Sequence, residues 1–193
     1  MKINLQRAIT TLTGALDFVG IDEVHHGKRT ALMAVSIAEE MGWSPARCEE
    51  MLYAGMLHDC GVSRTKEHRA ITAMLEWEGA EEHCLRGEQY LLACPPLARF
   101  STVVRWHHTR WEKLLLQDID PDRRLEANLI FLADRADVLL APYFVGATLK
   151  NEILWEYPAI VERLVGLAGT LFSPELVEAF QRAASRESFW LAM

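Results

Sequence analysis

In the stretch AGMLHDCGV, Ala54 to Val62, an apolar, helix-like run ends on two adjacent ionisable residues, His58 and Asp59. Apolar helix ends rarely carry such a pair unless a metal, a proton relay or ordinary hydrogen bonds satisfy both. Working outward, Ser44-Pro45 reads as an N-cap and first helical residue. Cys48, Met51, Leu52 and Met56 then give this helix its inward face. Upstream, Leu32, Val35, Ala38 and Met41 recur near a 3.6-residue period in a helix from Lys28 to Met41, and Gly42 is its stop. Downstream, a helix is predicted from Glu67 to Glu78, ending at Gly79. Another follows His83 and stops at Cys94-Pro95-Pro96. A further one carries Leu97, Val103 and Val104 toward His107 and His108. Asp120-Pro121 opens the run RRLEANLIFLADRADVLLA, which continues to Pro142, and Ser173-Pro174-Glu175 opens a helix bearing Leu176, Val177 and Phe180.

No period-two alternation, internal repeat or low-complexity linker interrupts this pattern. The expected fold is one all-α domain, a helical bundle over residues 1–184. The tail 185–193 either packs back on the bundle or is the stump of a longer chain. With 193 residues, half of them hydrophobic, the chain is large enough for one core. Its net charge of −7 argues against binding DNA or RNA polymers, whose phosphates call for a basic surface. An anionic ligand would need local positive charge, from a metal or a few arginines. Cys48, Cys60, Cys84 and Cys94 form no C-x-x-C pair and are expected to be reduced thiols in a cytoplasmic protein. The N-terminus lacks the apolar core of a signal peptide, and no apolar run approaches the roughly 18–20 residues of a membrane span.

Taken singly, the histidines are weak signals, because a lone histidine on an apolar helix is more often a satisfied core residue than a ligand. Their placement changes this. His26, His58, Asp59, His83, His107, His108 and Asp134 each fall near a helix end or on a buried helical face. Adjacent residues on a helix point about 100° apart, so His58-Asp59 and His107-His108 can each address one centre from two directions.

This ordered set, His26 followed by Arg29, then LHDCG, His83, His107-His108 and LADRAD around Asp134, resembles the HD superfamily of metal-dependent phosphohydrolases. With His83, His107 and His108 it is most similar to the HD-GYP branch. The resemblance implies hydrolysis of a phosphodiester, cyclic di-GMP being the first expectation, by a hydroxide bridging two divalent ions about 3.5–4 Å apart. Asp59 would bridge the two ions. His26, His58 and Asp134 would complete one, and His83, His107 and His108 the other. Iron or manganese is expected first, with zinc or cobalt as alternatives that share these ligands. A third ion would need Asp22, four residues before His26, where the branch usually has the longer glutamate; it is the weaker expectation.

Two departures concern substrate recognition. The lysine that usually follows the HD pair and its glycine is replaced by Val62, and the Gly-Tyr-Pro loop is absent. Arg110 and Trp111 are candidates for contacting a nucleotide, and Arg64 and Lys66 for replacing the lost cation, although a solvated loop is the simpler account of the last two. The alternative function is therefore a catalytically degenerate HD domain. Such a module would hold metal or nucleotide and signal to an attached domain or partner, which leaves room for a homo-oligomer.

Overall fold

The computed structural model describes residues 4–16, 25–63, 75–76, 79–144 and 149–192. Among these residues the chain is all-α, with helices α1 (Leu5–Leu16), α2 (His26–Glu40), α3 (Pro45–Leu57), α4 (Ala80–Leu92), α5 (Ser101–Trp106), α6 (Trp111–Leu114), α7 (Pro121–Leu140), α8 (Leu149–Val165), α9 (Pro174–Ala184) and α10 (Glu187–Leu191). No strand occurs among them, only an isolated bridge between Ala168 and Phe172. No helix of the described residues is long and apolar enough to cross a membrane.

Local chemistry sets the helix ends. The Ser44 side chain accepts a hydrogen bond from the Arg47 amide at 3.3 Å, and Asp120 accepts from the amides of Asp122 and Arg123 at 3.0 and 3.2 Å. Each cap is followed by proline, whose missing N–H is no loss in a first turn. Gly42 takes the left-handed φ of +71° that a C-terminal stop requires. Ser173 differs from expectation. Its hydroxyl caps nothing, and its amide instead donates to Asn128 Oδ1 at 2.7 Å, tying the start of α9 to α7.

α7 lies in the middle of the bundle. Ala127, Leu129, Ile130, Phe131, Leu132, Ala133 and Ala136 are at most 1 % exposed, so from Glu126 to Val138 the helix is buried on every side, while its first turn reaches the surface. α2 packs against both α3 and α7, α4 against α5, and α5 against α7. Fully burying each large apolar side chain contributes roughly 1.5–3 kcal/mol. The core formed by Met33, Ile37, Met51, Leu57, Phe100, Phe131 and their neighbours can thus offset the burial of several charged groups.

Two glycines let the elements close. A Cβ on Gly55 would sit 2.6 Å from Ala31 Cα, so its absence allows α3 to lie directly on α2. A Cβ on Gly61 would overlap the His83 carbonyl and the Gly87 amide, so the turn after His58-Asp59 can rest on α4 only as glycine.

The expected helices around residues 28–41, 45–58, 83–94, 121–142 and 174–184 are present with boundaries shifted by a few residues. His83 lies inside the first turn of α4 rather than before it. The segment before His107 is split into a short 3-10 turn, Ala98–Phe100, and α5. Of the helix expected over 67–78, Leu75 and Glu76 form a bend, and the other positions lie outside the described residues. α8 has no counterpart among the expected helices; Pro158 sits inside it. The tail packs back on the domain, with Phe189 and Trp190 buried and Trp190 Nε1 donating to the Ala184 carbonyl at 2.8 Å.

Candidate metal centre

Five helices, together with the turns that follow them, deliver the ionisable residues to one interior. His26 opens α2, immediately after His25, whose φ of 76° makes it the one non-glycine residue with left-handed backbone among those described. His58 and Asp59 follow the end of α3, His83 comes from α4, His107 and His108 follow α5, and Asp134 lies on α7. His26, His58, Asp59, His83, His107 and Asp134 are all buried.

The groups form two sets that share Asp59. Its Oδ2 lies 3.4 Å from His58 Nε2 and 3.8 Å from His26 Nε2. Its Oδ1 lies 3.4 Å from His83 Nε2 and 3.8 Å from His107 Nε2. Asp134 Oδ1 joins the first set, 3.3 Å from His26 Nε2 and 3.9 Å from His58 Nε2. His108 joins the second: one ligand atom each from Asp59, His83, His107 and His108 lie within 4.8 Å of one another. Two donors each about 2.1 Å from a common ion stand about 3.0–3.4 Å apart at tetrahedral to octahedral angles. The observed spacings are close to that.

Hydrogen bonds on the far side of the rings fix which nitrogen faces inward. His58 Nδ1 donates to the Gly55 carbonyl and His107 Nδ1 to the Val104 carbonyl, each at 2.7 Å. A carbonyl can only accept, so Nδ1 carries a proton, and Nε2 is the nitrogen turned to the cluster, with its lone pair available when the ring is neutral. His26 Nδ1 is held in the same way, 2.7 Å from Asp137 Oδ2. On the inner side, His58 Nε2, His108 Nε2, both oxygens of Asp59 and Asp134 Oδ1 have no hydrogen-bond partner. Buried polar atoms left so are costly, and convergent ones answer to a cation. Imidazole nitrogens with carboxylate oxygens suit a divalent transition metal, so the residues present fit such a group.

Electrostatics point the same way. Burial, reinforced by His58 and His83, pushes the His107 imidazole down to about 4, and burial with His107 and Arg135 pushes His108 well below its ordinary value. Both rings are therefore neutral near pH 7, as metal ligation requires. For Asp59, burial works upward, yet His58, His107 and His83 outweigh it and hold the carboxyl well below the usual range. For His26, burial works downward, yet Asp134 and Asp137 outweigh it and raise the ring well above its ordinary value. A proton on His26 and a divalent cation are alternative answers to the same excess of carboxylate charge.

Two residues of the arrangement are not among the candidates that the sequence singles out. Asp137, fully buried, anchors His26 and receives Arg29 Nε and Nη2 at 2.6 and 2.9 Å. Arg135, 1 % exposed, places Nε and Nη2 at 3.1 and 2.6 Å from Asp134 Oδ2. The signal for them is the LADRAD run itself, in which Asp134 and Asp137 stand three apart on one helical face.

The recognition candidates fall differently. Arg110 lines a cavity of about 370 Å³ beside His108, but its guanidinium is engaged by Glu76 and Glu112. Trp111 begins α6, its amide donating to the Leu171 carbonyl at 2.9 Å; the tryptophan that lines the cavity is Trp106. Val62, where the resemblance expects lysine, is buried. Asp22, Arg64 and Lys66 lie outside the described residues.

The chain is 34 % identical over 198 residues to the 3'3'-cGAMP-specific phosphodiesterase 1 of Vibrio cholerae, an alignment covering 100 % of this chain and 44 % of that protein. It is 28 % identical over 169 residues to the cyclic di-GMP phosphodiesterase of Thermotoga maritima, covering 82 % of this chain and 44 % of the relative. It thus spans less than half the length of these curated relatives. Residues 24–139, which include His26, Asp134 and every candidate ligand between them, match the HD domain family, and the chain belongs to that family.

Proposed function

We propose that the chain is a metal-dependent phosphodiesterase acting on a cyclic dinucleotide, with cyclic di-GMP and 3'3'-cGAMP as the substrates to try first. The observation that carries this is Asp59, a buried carboxylate whose two oxygens, both without hydrogen bonds, face two separate sets of imidazoles. The names of the two relatives supply the substrate class.

His26, His58 and Asp134 would hold one ion, His83, His107 and His108 the other, and Asp59 both. Iron or manganese is the expected metal. Such a pair supplies positive charge for a phosphoryl group and lowers the pKa of water. The chain's own contribution is orientation. The Gly55 and Val104 carbonyls and Asp137 hold three imidazoles in the ligating tautomer, and burial keeps His107 and His108 deprotonated. The cavity beside His108 admits substrate to the second set.

The test is hydrolysis of each cyclic dinucleotide by protein purified without oxygen and supplied with iron or manganese, beside Asp59→Asn. Metal-dependent formation of a linear dinucleotide or mononucleotide, lost in the variant, is the expected result. A second reading is favoured by Val62 and by the ion pairs that occupy Arg110: a domain that binds metal and nucleotide without turnover. Tight binding with no product under the same conditions would select it.

A further inference from the structure

The cavity beside His108 has a charge balance that singles out one residue. Arg105, Arg110 and Lys113 line it, facing Glu76 and Glu81. Arg110 is committed: Nη1 lies 2.7 and 2.8 Å from the two oxygens of Glu76, and Nε 2.7 Å from Glu112 Oε1. Arg105 is committed as well, with Nη2 3.2 Å from Glu81 Oε1 and its guanidinium 4.5 Å from the centre of the Trp106 ring. Among the described residues, the Lys113 ammonium has neither an ion pair nor a hydrogen bond, and the side chain is exposed.

Its backbone, by contrast, is fixed. The Lys113 amide donates to the Arg110 carbonyl at 3.0 Å, and the two residues before it are tied to the turn ahead of α9. Trp111 donates to Leu171 at 2.9 Å and Glu112 to Thr170 at 3.1 Å. An exposed ammonium without a partner among the described residues, carried on an anchored backbone, is suited to meet a phosphate as a point charge. In a chain of net charge −7, an anionic ligand needs such a local counter-charge.

A cyclic dinucleotide carries two phosphodiesters. On that reading the one that reacts would lie at the His/Asp cluster, where bound metal would balance its charge. The other is carried across the ring and must be balanced elsewhere. We infer that Lys113 anchors this second, non-reacting phosphate, with the cavity between Trp106 and Lys113 holding that half of the ligand. The inference rests on the phosphodiesterase reading above.

The test is calorimetric titration of the manganese-loaded full chain with the phosphorothioate analogue of cyclic di-GMP and, separately, with GMP, which has one phosphate. Lys113→Gln is expected to weaken binding of the analogue about tenfold, the low end for a charge-assisted contact at an exposed site. GMP binding and metal content should be unchanged, and Lys113→Arg should bind the analogue to within about threefold of the parent. Unchanged affinity of Lys113→Gln for the analogue would overturn the inference while leaving the phosphodiesterase reading intact. An equal loss for GMP would overturn it too, placing Lys113 at the reacting phosphate. A parent protein that binds GMP but not the analogue would overturn both.

Discussion

His26 Nδ1 lies 2.7 Å from Oδ2 of Asp137, and the same carboxylate receives Arg29 through both of its oxygens. Asp137 therefore fixes the tautomer of a candidate ligand and is itself held by a buried cation. Partners of this kind typically change metal affinity about 10- to 100-fold when removed. Asp137→Asn keeps the volume and one acceptor but removes the charge. Its expected effect is selective loss of one of two ions, read as metal content near one per chain, with helical circular dichroism retained. Asp137→Ala additionally leaves Arg29 as a buried cation without its carboxylate and should cost about 3–5 kcal/mol in urea denaturation. Two ions bound as tightly in Asp137→Asn as in the parent would count against the positioning role.

Asp59 is the residue common to the two candidate ligand sets, with one oxygen toward each; Asp134 faces the first set and reaches the second only through Oδ2, 3.8 Å from His108 Nε2. Asp59→Ala should reduce metal content from about two ions toward none, whereas His83→Ala or His58→Ala should remove one. Because ions held by the folded chain stabilise it by mass action, chelation should lower the melting temperature of the parent and hardly move that of Asp59→Ala. Elemental analysis paired with melting curves, with and without chelator, separates these outcomes. Identical stoichiometry in all three variants would show that the metals bind elsewhere.

The parts of this centre written in local sequence are legible in the order of residues alone. Adjacent pairs such as His58-Asp59 and His107-His108 stand out because each closes a helical run with apolar residues in its preceding turns. Caps such as Ser44-Pro45 and Asp120-Pro121 place the helices that carry them. What stays hidden depends on contacts between distant segments. Asp137 reads as one more polar residue of α7 until α2 brings His26 and Arg29 against it, more than a hundred positions away in sequence. Arg110 looks like a phosphate donor until Glu76 and Glu112 are seen on its guanidinium. α8 is obscured by Pro158, which local propensity counts against a helix interior although burial of Ile153, Ile160 and Leu164 favours one.

Gly61 is expected to tolerate no side chain. Its missing Cβ is what lets the turn after Asp59 touch the His83 carbonyl and Gly87 amide, and both are backbone atoms that cannot rotate away. Gly61→Ala should cost about 3 kcal/mol, the upper range for overpacking, and should separate His83 from Asp59. Denaturant titration measures the first effect and metal content the second. A fully stable alanine variant with normal metal content would show that α4 can shift without consequence.

The thiols near the centre should be inert. Burial, with Asp59 adding to it, pushes Cys60 up to about 12 and raises Cys84 further still. A raised thiol pKa means less thiolate at a given pH, so at about pH 8 both remain protonated in the folded chain. Iodoacetamide should label them slowly in native protein and rapidly in urea, as followed by mass spectrometry of the two peptides. Rapid labelling of Cys84 without denaturant would show that the cavity it lines supports a thiolate.

Arg135 makes the last prediction, because it is the buried cation held against the candidate ligand Asp134. Its guanidinium engages Oδ2, which also lies 3.8 Å from His108 Nε2, while Oδ1 faces His26 and His58. Arg135→Met would leave Asp134 a buried carboxylate with no arginine to balance it, a loss on the order of 3–5 kcal/mol in metal-free protein. In metal-loaded protein a divalent ion held by Asp134 would supply much of the missing charge, so the loss should be markedly smaller. The gap in melting temperature between loaded and chelated protein should therefore widen in Arg135→Met relative to the parent. An equal drop in both states would mean that Arg135 acts only as packing, and that Asp134 does not meet the metal.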